Sequence, residues 1–436
     1  VSVSTTSRVI VPGGSLRGET QPPPDKSITH RAVILSALAT GTSQVVHPLL
    51  AADCERTAES FRALGIIVDN DKRGAWIVMG RGLNGLREPE QPIYCGNSGT
   101  TMRLVAGVLA GQPFETKLMG DQSLSQRPMD RVVRPLREMG AEITARDERF
   151  APLRVRGRRP LRPVEWKSPV ASAQVKSCVL LAGLYAEGVT SFEEPYKSRD
   201  HTERMMSAAG VKLDIAGNRV SLTSGQTLSA QEWVVPGDIS SAAFPLVAAL
   251  ILHGSEILLR NVDVNPTRDG ILEALQAMGA QIKREDARVV GGEPVSDLLV
   301  KASDLKGIRV GGEIMPRLID EVPILAVAAT QAHGVTEIRG AGELRVKESD
   351  RLAHIASQLA KMGANVQELP DGLVIEGPTP LRGATVDSAN DHRLAMAFAV
   401  AGLVARGETN ILNADCVDIS FPTFWEEFEK LRVAAP

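Results

Sequence analysis

Two hydrophobic patterns alternate along the chain, and their alternation organises it. In the first, a stretch apolar nearly all round stops near a glycine and runs on into a strand-like segment. It reads RAVILSALATGTSQVV around Gly41, MRLVAGVLAGQPFETKL around Gly111 and VKSCVLLAGLYAEGVTSF around Gly188. It returns as AAFPLVAALILHGSEILL around Gly254, VPILAVAATQAHGVTEI around Gly334 and RLAMAFAVAGLVARGETNIL around Gly407. A helix without a polar face belongs inside a domain. Each glycine suits the position just past a helix end, where a positive φ is cheap only without a Cβ.

The second pattern is an amphipathic helix ending in a Met/Leu-Gly-Ala type turn before a strand. It reads FRALGIIV, LREMGAEI, MMSAAGVKL, LQAMGAQI and LAKMGANV, turning at Gly65, Gly140, Gly210, Gly279 and Gly363. FEKLRV, near Leu431, is a degenerate sixth copy. Strict alternation at a period of roughly 70 residues is the mark of a repeat architecture. Each repeat predicts β-α-β-α-β-β, and six repeats predict an α/β protein of two domains with three repeats each. The Pro/Gly-rich stretches at residues 22–26 and 235–241 fall where such a division needs its hinges. The expected domains are residues 24–237, and residues 1–23 plus 238–436.

Composition narrows the class. Hydrophobic residues make up 43% of the 436 residues and aromatic ones only 4%, so the cores must be aliphatic. The balance of 49 basic against 52 acidic residues excludes the broad basic surface that nucleic acid or an anionic membrane requires. Cys54, Cys95, Cys178 and Cys416 form no CxxC pair and read as small, reduced core or loop residues. Residues 1–8 show no apolar signal core, and the apolar runs at 242–253 and 322–332 are too short to span a bilayer. The expectation is a cytoplasmic enzyme, or a plastid-type one after loss of a transit peptide.

The segments opening the six apolar helices carry the candidate chemistry. They hold Lys26, Ser27 and Arg31; Asn97, Ser98, Gly99, Thr100, Thr101 and Arg103; and Ser172, Gln174 and Lys176. In the second half they hold Asp238, Ser240 and Ser241; Arg317, Asp320 and Glu321; and Asn390, Asp391, His392 and Arg393. Free N–H groups and the helix dipole favour anions there, and Arg suits bidentate oxyanion binding. Plain N-capping accounts for any one of these Ser, Asn, Asp or Thr residues. It does not call for Lys26, Arg31, Arg103 and Arg393 near helix starts, where cations oppose the dipole.

Two further clusters stand apart: Arg127, Arg131 and Arg134, and Arg345, Lys347, Glu348 and Arg351. Arg127 is either a loop cation aimed at a site or part of a solvated helix start. Lys347 and Arg351, four apart, would share a helix face beside Glu348. That group reads either as a surface ion-pair network or as a carboxylate held among cations to move protons. No P-loop, HExxH or Cys/His metal constellation is present, and Gly13 to Gly18 lack the strand–GxGxxG–helix context, so no cofactor is expected.

The stretches PPPDKSITHRA, GNSGTTMRL, RPMDRVVRPLREMGA, SAQVKS, KSRDHTE, IDEVPILAVAA, LRVKESDRL and NDHRLAMA resemble the 5-enolpyruvylshikimate-3-phosphate synthase family over the whole length. KSRDHTE and LRVKESDRL are closer to its glyphosate-tolerant bacterial branch than to its enteric one. The resemblance implies an inverse α/β barrel of six repeats, whose two domains close over the substrates, and no cofactor. It also implies the reaction: phosphoenolpyruvate and shikimate 3-phosphate give the enolpyruvyl ether and phosphate by addition and elimination through a tetrahedral intermediate. It assigns Lys26, Ser27, Arg31, Ser172, Ala173, Gln174, Arg199, Asp320 and Lys347 to shikimate 3-phosphate. Lys26, Asn97, Gly99, Thr100, Arg127, Gln174, Arg351 and Arg393 go to phosphoenolpyruvate. Asp320 and Lys347 stand at the reacting hydroxyl, Lys26 also serves catalysis, and Glu348 protonates the methylene carbon and later takes a proton back. A monomer with glyphosate as an inhibitor is the family expectation.

Departures and rivals bound this reading. Ile419 stands where the enteric branch has a Lys before Thr-Phe-Pro, and Leu104 stands where it has a Pro, while Gly99 keeps the small residue tied to glyphosate sensitivity. The UDP-N-acetylglucosamine enolpyruvyl transferases carry a Cys in the loop before the Arg-Pro pair, but here that loop reads GDQSLSQ. A non-catalytic repeat scaffold would show plain helix caps without concentrated cations.

Overall fold

A computed structural model describes residues 6–433. In chain order its helices are α1 (Lys26–Leu38), α2 (Ala52–Ala63), α3 (Gly99–Ala110), α4 (Asp130–Glu138), α5 (Ala173–Gly183), α6 (His201–Ala208), α7 (Ile239–Ile251), α8 (Gly270–Ala277), α9 (Met315–Leu318), α10 (Val322–Gln331), α11 (Arg351–Lys361), α12 (His392–Leu403) and α13 (Phe424–Leu431). The chain divides into two compact units. One contains Pro24–Val235 and the short segment Val290–Glu293; the other contains Val1–Pro23, Pro236–Val289 and Pro294–Pro436.

The first pattern forms α1, α3, α5, α7, α10 and α12. Every residue of α12 is buried, and α7 is buried from Ile239 to Leu250. Each unit has its own aliphatic core around three such helices. In the first unit α3 packs closely on α5. A Cβ at Gly107 would lie 2.4 Å from the Cys178 carbonyl oxygen, so only glycine admits this approach.

The repeats other than the last pair their strands in one way. In the second, Ile93–Tyr94 runs parallel to Glu115–Met119, which pairs antiparallel with Phe150–Arg156, and that strand with Glu142–Arg146. Helix α3 makes the crossover between the parallel pair, which needs one. The β-α-β-α-β-β expectation holds within such a repeat, but not at the ends of the units. The first repeat takes its leading strand from Glu232–Val234, parallel to Ala39–Val46. In the other unit Ser15–Thr20 runs parallel to Glu256–Asp263, with residues 24–235 inserted between them in sequence. Its last repeat borrows Ser7–Ile10 as the antiparallel partner of Thr409–Leu412. Borrowed strands cover edges that would otherwise be open.

The amphipathic helices end alike. Gly65 donates to Arg62 O and Ile66 to Phe61 O, closing a Schellman motif. The same pair of bonds recurs at Gly140, Gly210, Gly279 and Gly363. All five glycines have φ between +85° and +99°. The glycines after the buried helices miss this position, but Gly41, Gly188, Gly254, Gly334 and Gly407 keep the expected positive φ. Gly41 lies inside the strand Ala39–Val46, and Gly188 opens the turn after α5 at some distance from its end at Gly183. Gly111 has φ of −90°, and its reason is packing: a Cβ there would lie 2.2 Å from the Tyr185 ring.

These two kinds of glycine separate on substitution. A Cβ at Gly363 meets nothing within 4 Å, so Gly363→Ala should lose about 1 kcal/mol through φ alone. Gly111→Ala, which strikes an aromatic ring, should lose more, on the order of 1–3 kcal/mol. Urea unfolding midpoints rank the two; equal losses would contradict this account.

Candidate active site

Five of the six buried helices are N-capped by their own sequence. Asp25 accepts from Ile28 N, Ser98 from Thr101 N, Ser172 from Val175 N, Asp238 from Ser240 N and Asp391 from Arg393 N. Helix α10 has no side-chain cap and follows a 3-10 turn at Ile319–Glu321. Plain capping therefore explains these acceptors, and the cations around them remain to be placed.

In the unit built on residues 24–235, Lys26 at the first position of α1 donates to Asp53 at 3.0 Å. The N-terminus of α3 gathers more. Arg127 is 8% exposed and donates to the Asn97 side chain at 2.5 Å and to the Asn97 carbonyl at 3.2 Å. Asn97 in turn donates to Asp121. Arg103 donates to the Gln174 side-chain oxygen at 2.6 Å, and the Gln174 amide donates to Thr100 at 2.9 Å. Gly99 sits against both guanidiniums. A Cβ there would come within 2.8 Å of Arg103 and 3.6 Å of Arg127. Asn97, Gly99, Thr100, Arg127 and Gln174 are thus brought together, with Arg103 as a member that the resemblance did not assign.

Arg31 lies a turn into α1 and is 4% exposed. It donates to Thr202 at 2.7 Å, Ser177 at 2.9 Å and the Ser27 carbonyl at 2.9 Å. Burial brings its pKa down to about 10, which leaves it charged at neutral pH. Arg199 is close enough to Arg31 to oppose its charge. Ser177, which accepts from Arg31, itself bonds the Ala173 carbonyl at 2.6 Å. Ser27, Arg31, Ala173 and Arg199 therefore form a second neighbourhood. Lys176 is not part of an anion site. It is 2% exposed and paired with Glu194 and Glu203, each at 2.8 Å. Burial alone would lower its pKa, but the two glutamates raise it.

Beneath the helix starts runs a buried chain of hydroxyls. His30 Nδ1 bonds Thr57 at 2.6 Å, Thr57 bonds Thr101 at 2.7 Å, and Thr101 bonds Ser98 at 2.7 Å. It ties the second turn of α1 and the middle of α2 to the start of α3.

In the other unit the centre is Asp320. Lys347 lies 3.7 Å from its carboxylate, Arg351 3.4 Å and Arg393 4.0 Å. Arg351 is 1% exposed and also meets Glu348 at 2.7 Å and Asp391 at 2.7 Å. Burial would lower its pKa; Asp391, Glu348 and Asp320 more than reverse this and hold it raised. Lys347, Glu348, Asp320, Arg351 and Arg393 are brought together as expected, but not by a shared helix face. Asp350 caps α11 by accepting from Ala353 N, so Lys347 and Glu348 precede the helix. Arg317 is turned to Asp269 and Glu273 and does not join Asp320. Arg134 is an exposed partner of Asp130. Asp53, Asp121 and Asp391 hold the cations in place. Of these, Asp53 and Asp121 carried no sequence signal beyond being acidic.

The comparisons with known proteins agree with this chemistry. Residues 10–428 match the family model described as EPSP synthase (3-phosphoshikimate 1-carboxyvinyltransferase). The chain belongs to this family. A 3-phosphoshikimate 1-carboxyvinyltransferase of Desulforamulus reducens is 51% identical, with 98% of this chain and 99% of that protein covered. One from Synechocystis is 55% identical over 95% of this chain and 93% of that protein. The solved EPSP synthase of Acinetobacter baumannii has a TM-score of 0.88 at 42% identity, covering 99% of both chains. No helix among the described residues is long and apolar enough to cross a membrane.

The hydroxyl chain predicts a pH effect. Burial pushes the His30 pKa down from 6.5 to about 3. The unfolded chain therefore takes up a proton that the folded one refuses. The contribution is full above pH 6.5 and is lost as pH falls, by about 2 kcal/mol on reaching about pH 5. Urea midpoints at about pH 7 and pH 5 should fall further for the wild type than for His30→Gln; parallel falls would contradict the burial of a neutral His30.

Proposed function

We infer that this EPSP synthase family member transfers the enolpyruvyl group of phosphoenolpyruvate to the 5-hydroxyl of shikimate 3-phosphate and releases phosphate. The reaction belongs to the shikimate pathway of aromatic amino-acid biosynthesis. The observation that carries the mechanism is Asp320 among Lys347, Arg351 and Arg393, with Glu348 on Arg351.

Both substrates bear a phosphate and a carboxylate, so cations must bind them. Arg127, Arg351 and Arg393 hold phosphoenolpyruvate, and the backbone at Gly99, with Asn97, Thr100 and Gln174, takes part. Ser27, Arg31, Arg199 and the Ser172–Gln174 segment hold shikimate 3-phosphate, and Lys26 serves both. Ser172 also caps α5, so its backbone and hydroxyl are already fixed for this task. Asp320, steadied by Lys347, takes the proton of the 5-hydroxyl as its oxygen adds to C2 of phosphoenolpyruvate. Glu348 delivers a proton to the methylene carbon. In the second step the C–O bond to phosphate breaks as the leaving phosphate takes up the proton held by Asp320, and Glu348 takes a proton back from the same carbon, which restores both carboxyl groups. Positive charge developing at C2 is stabilised by the carboxylates. The reading also carries a cytoplasmic monomer, with glyphosate as an inhibitor at the phosphoenolpyruvate residues.

Purified protein should release phosphate from phosphoenolpyruvate only when shikimate 3-phosphate is present. Release driven instead by UDP-N-acetylglucosamine would keep the fold and overturn the acceptor. Glu348→Ala should lower kcat by about a hundredfold or more, the scale of a general acid; near-normal turnover would end that assignment. Lys26→Ala and Arg127→Ala should mainly raise KM, which initial-rate kinetics in each substrate will read.

A further inference from the structure

The Lys176–Glu194–Glu203 triad is a deeply buried charge cluster that the reaction above does not use. Its side chains are 2%, 1% and 5% exposed. Removing such charges from water costs several kcal/mol per ion, and an aliphatic cluster would often be at least as stable. The hydrogen bonds show what the charges hold. Glu194 Oε1 accepts from Lys176 Nζ at 2.8 Å, from Ser198 N at 2.8 Å and from the Ser198 hydroxyl at 2.9 Å. Its Oε2 accepts from Ser172 N at 3.2 Å. Lys176 also donates to the Ser198 carbonyl at 3.2 Å. One carboxylate therefore ties the residue that opens α5 to the residue just before Arg199.

We propose that Glu194 is a positioning residue for the shikimate 3-phosphate site, bracing Ser172–Gln174 and Arg199 at a fixed separation through Ser172 N and Ser198. The proposal rests on the assignment of those segments to shikimate 3-phosphate. Lys176 offsets the charge of Glu194, and Glu203 lies close enough to Arg31 for their charges to attract, so the brace does not stand as an uncompensated anion beside the site. Glu203 completes the pairing of Lys176 from α6, which also carries Thr202, a hydrogen-bond partner of Arg31. A glutamine cannot replace Glu194. Every partner of either oxygen is a donor, so whichever side receives the amide nitrogen sets donor against donor.

The test is a substrate-resolved kinetic comparison of wild type and Glu194→Gln, with Kd for shikimate 3-phosphate alone measured by calorimetry. Glu194→Gln should weaken shikimate 3-phosphate about tenfold or more in KM and Kd, since small displacements of binding groups are costly. KM for phosphoenolpyruvate and kcat at saturation should change little. A purely structural role would lower the unfolding midpoint or the active fraction and leave both KM values alone, which would overturn the proposal. So would an equal rise in both. If Glu194→Gln does not fold, Ser198→Ala, which removes one of the bonds to Glu194, should show the same split in smaller measure; no split there refutes the brace. Arg199→Ala in the same assays separates the two claims. An unchanged Kd for shikimate 3-phosphate in that variant would refute the site assignment, whereas a raised Kd with Glu194→Gln silent would refute the brace alone.

Discussion

Six helices with no polar face have to be buried, and each leaves N–H groups at its start that must be met by something polar. That constraint governs the distribution of chemistry in this protein. Aliphatic residues fill the bodies of α1, α3, α5, α7, α10 and α12, and the hydrogen-bonding residues collect at their first turns. Asp25, Ser98, Ser172, Asp238 and Asp391 meet the need directly. Once capped, these ends remain positive in potential, which suits anions and makes nearby cations costly unless carboxylates hold them.

The carboxylates are the second layer. Lys26 is held by Asp53, Asn97 and through it Arg127 by Asp121, and Arg351 by Asp391, Glu348 and Asp320. Each cation is thereby fixed before any substrate arrives, which is what electrostatic stabilisation of a reaction requires. The arrangement also places Asp320 and Glu348, to which the proposed reaction gives the proton steps, on opposite N–H groups of one guanidinium. Arg351 thus sets their spacing as well as carrying charge.

Much of this was legible in the sequence because it is local. The five Gly turns after the amphipathic helices are Schellman motifs, and the apolar runs are buried helices. The grouping of Asn97, Gly99 and Thr100 follows from chain geometry at one helix start, while Arg127 reaches it from the loop after the next strand. What stayed hidden depends on distant partners. The strands Glu232–Val234 and Ser7–Ile10 complete repeats to which they do not belong in sequence. Lys176 read as a site cation because Glu194 and Glu203 lie beyond any local window. Lys347 and Glu348 read as helical because four-residue spacing says nothing of where a cap falls, and Asp350 starts α11 after them. The glycine at Gly111 answers to a ring on another repeat, Tyr185, and not to its own φ.

The central claim is that Glu348, fixed by Arg351, carries a proton to and from the methylene carbon. Turnover in deuterated water tests it most directly, with deuterium at C3 of the recovered phosphoenolpyruvate and of the product followed by mass spectrometry. The account predicts incorporation that requires shikimate 3-phosphate in the wild type and disappears in Glu348→Gln, while that variant still binds shikimate 3-phosphate. Incorporation by Glu348→Gln at the wild-type rate would mean that another group moves the proton, and would contradict the mechanism.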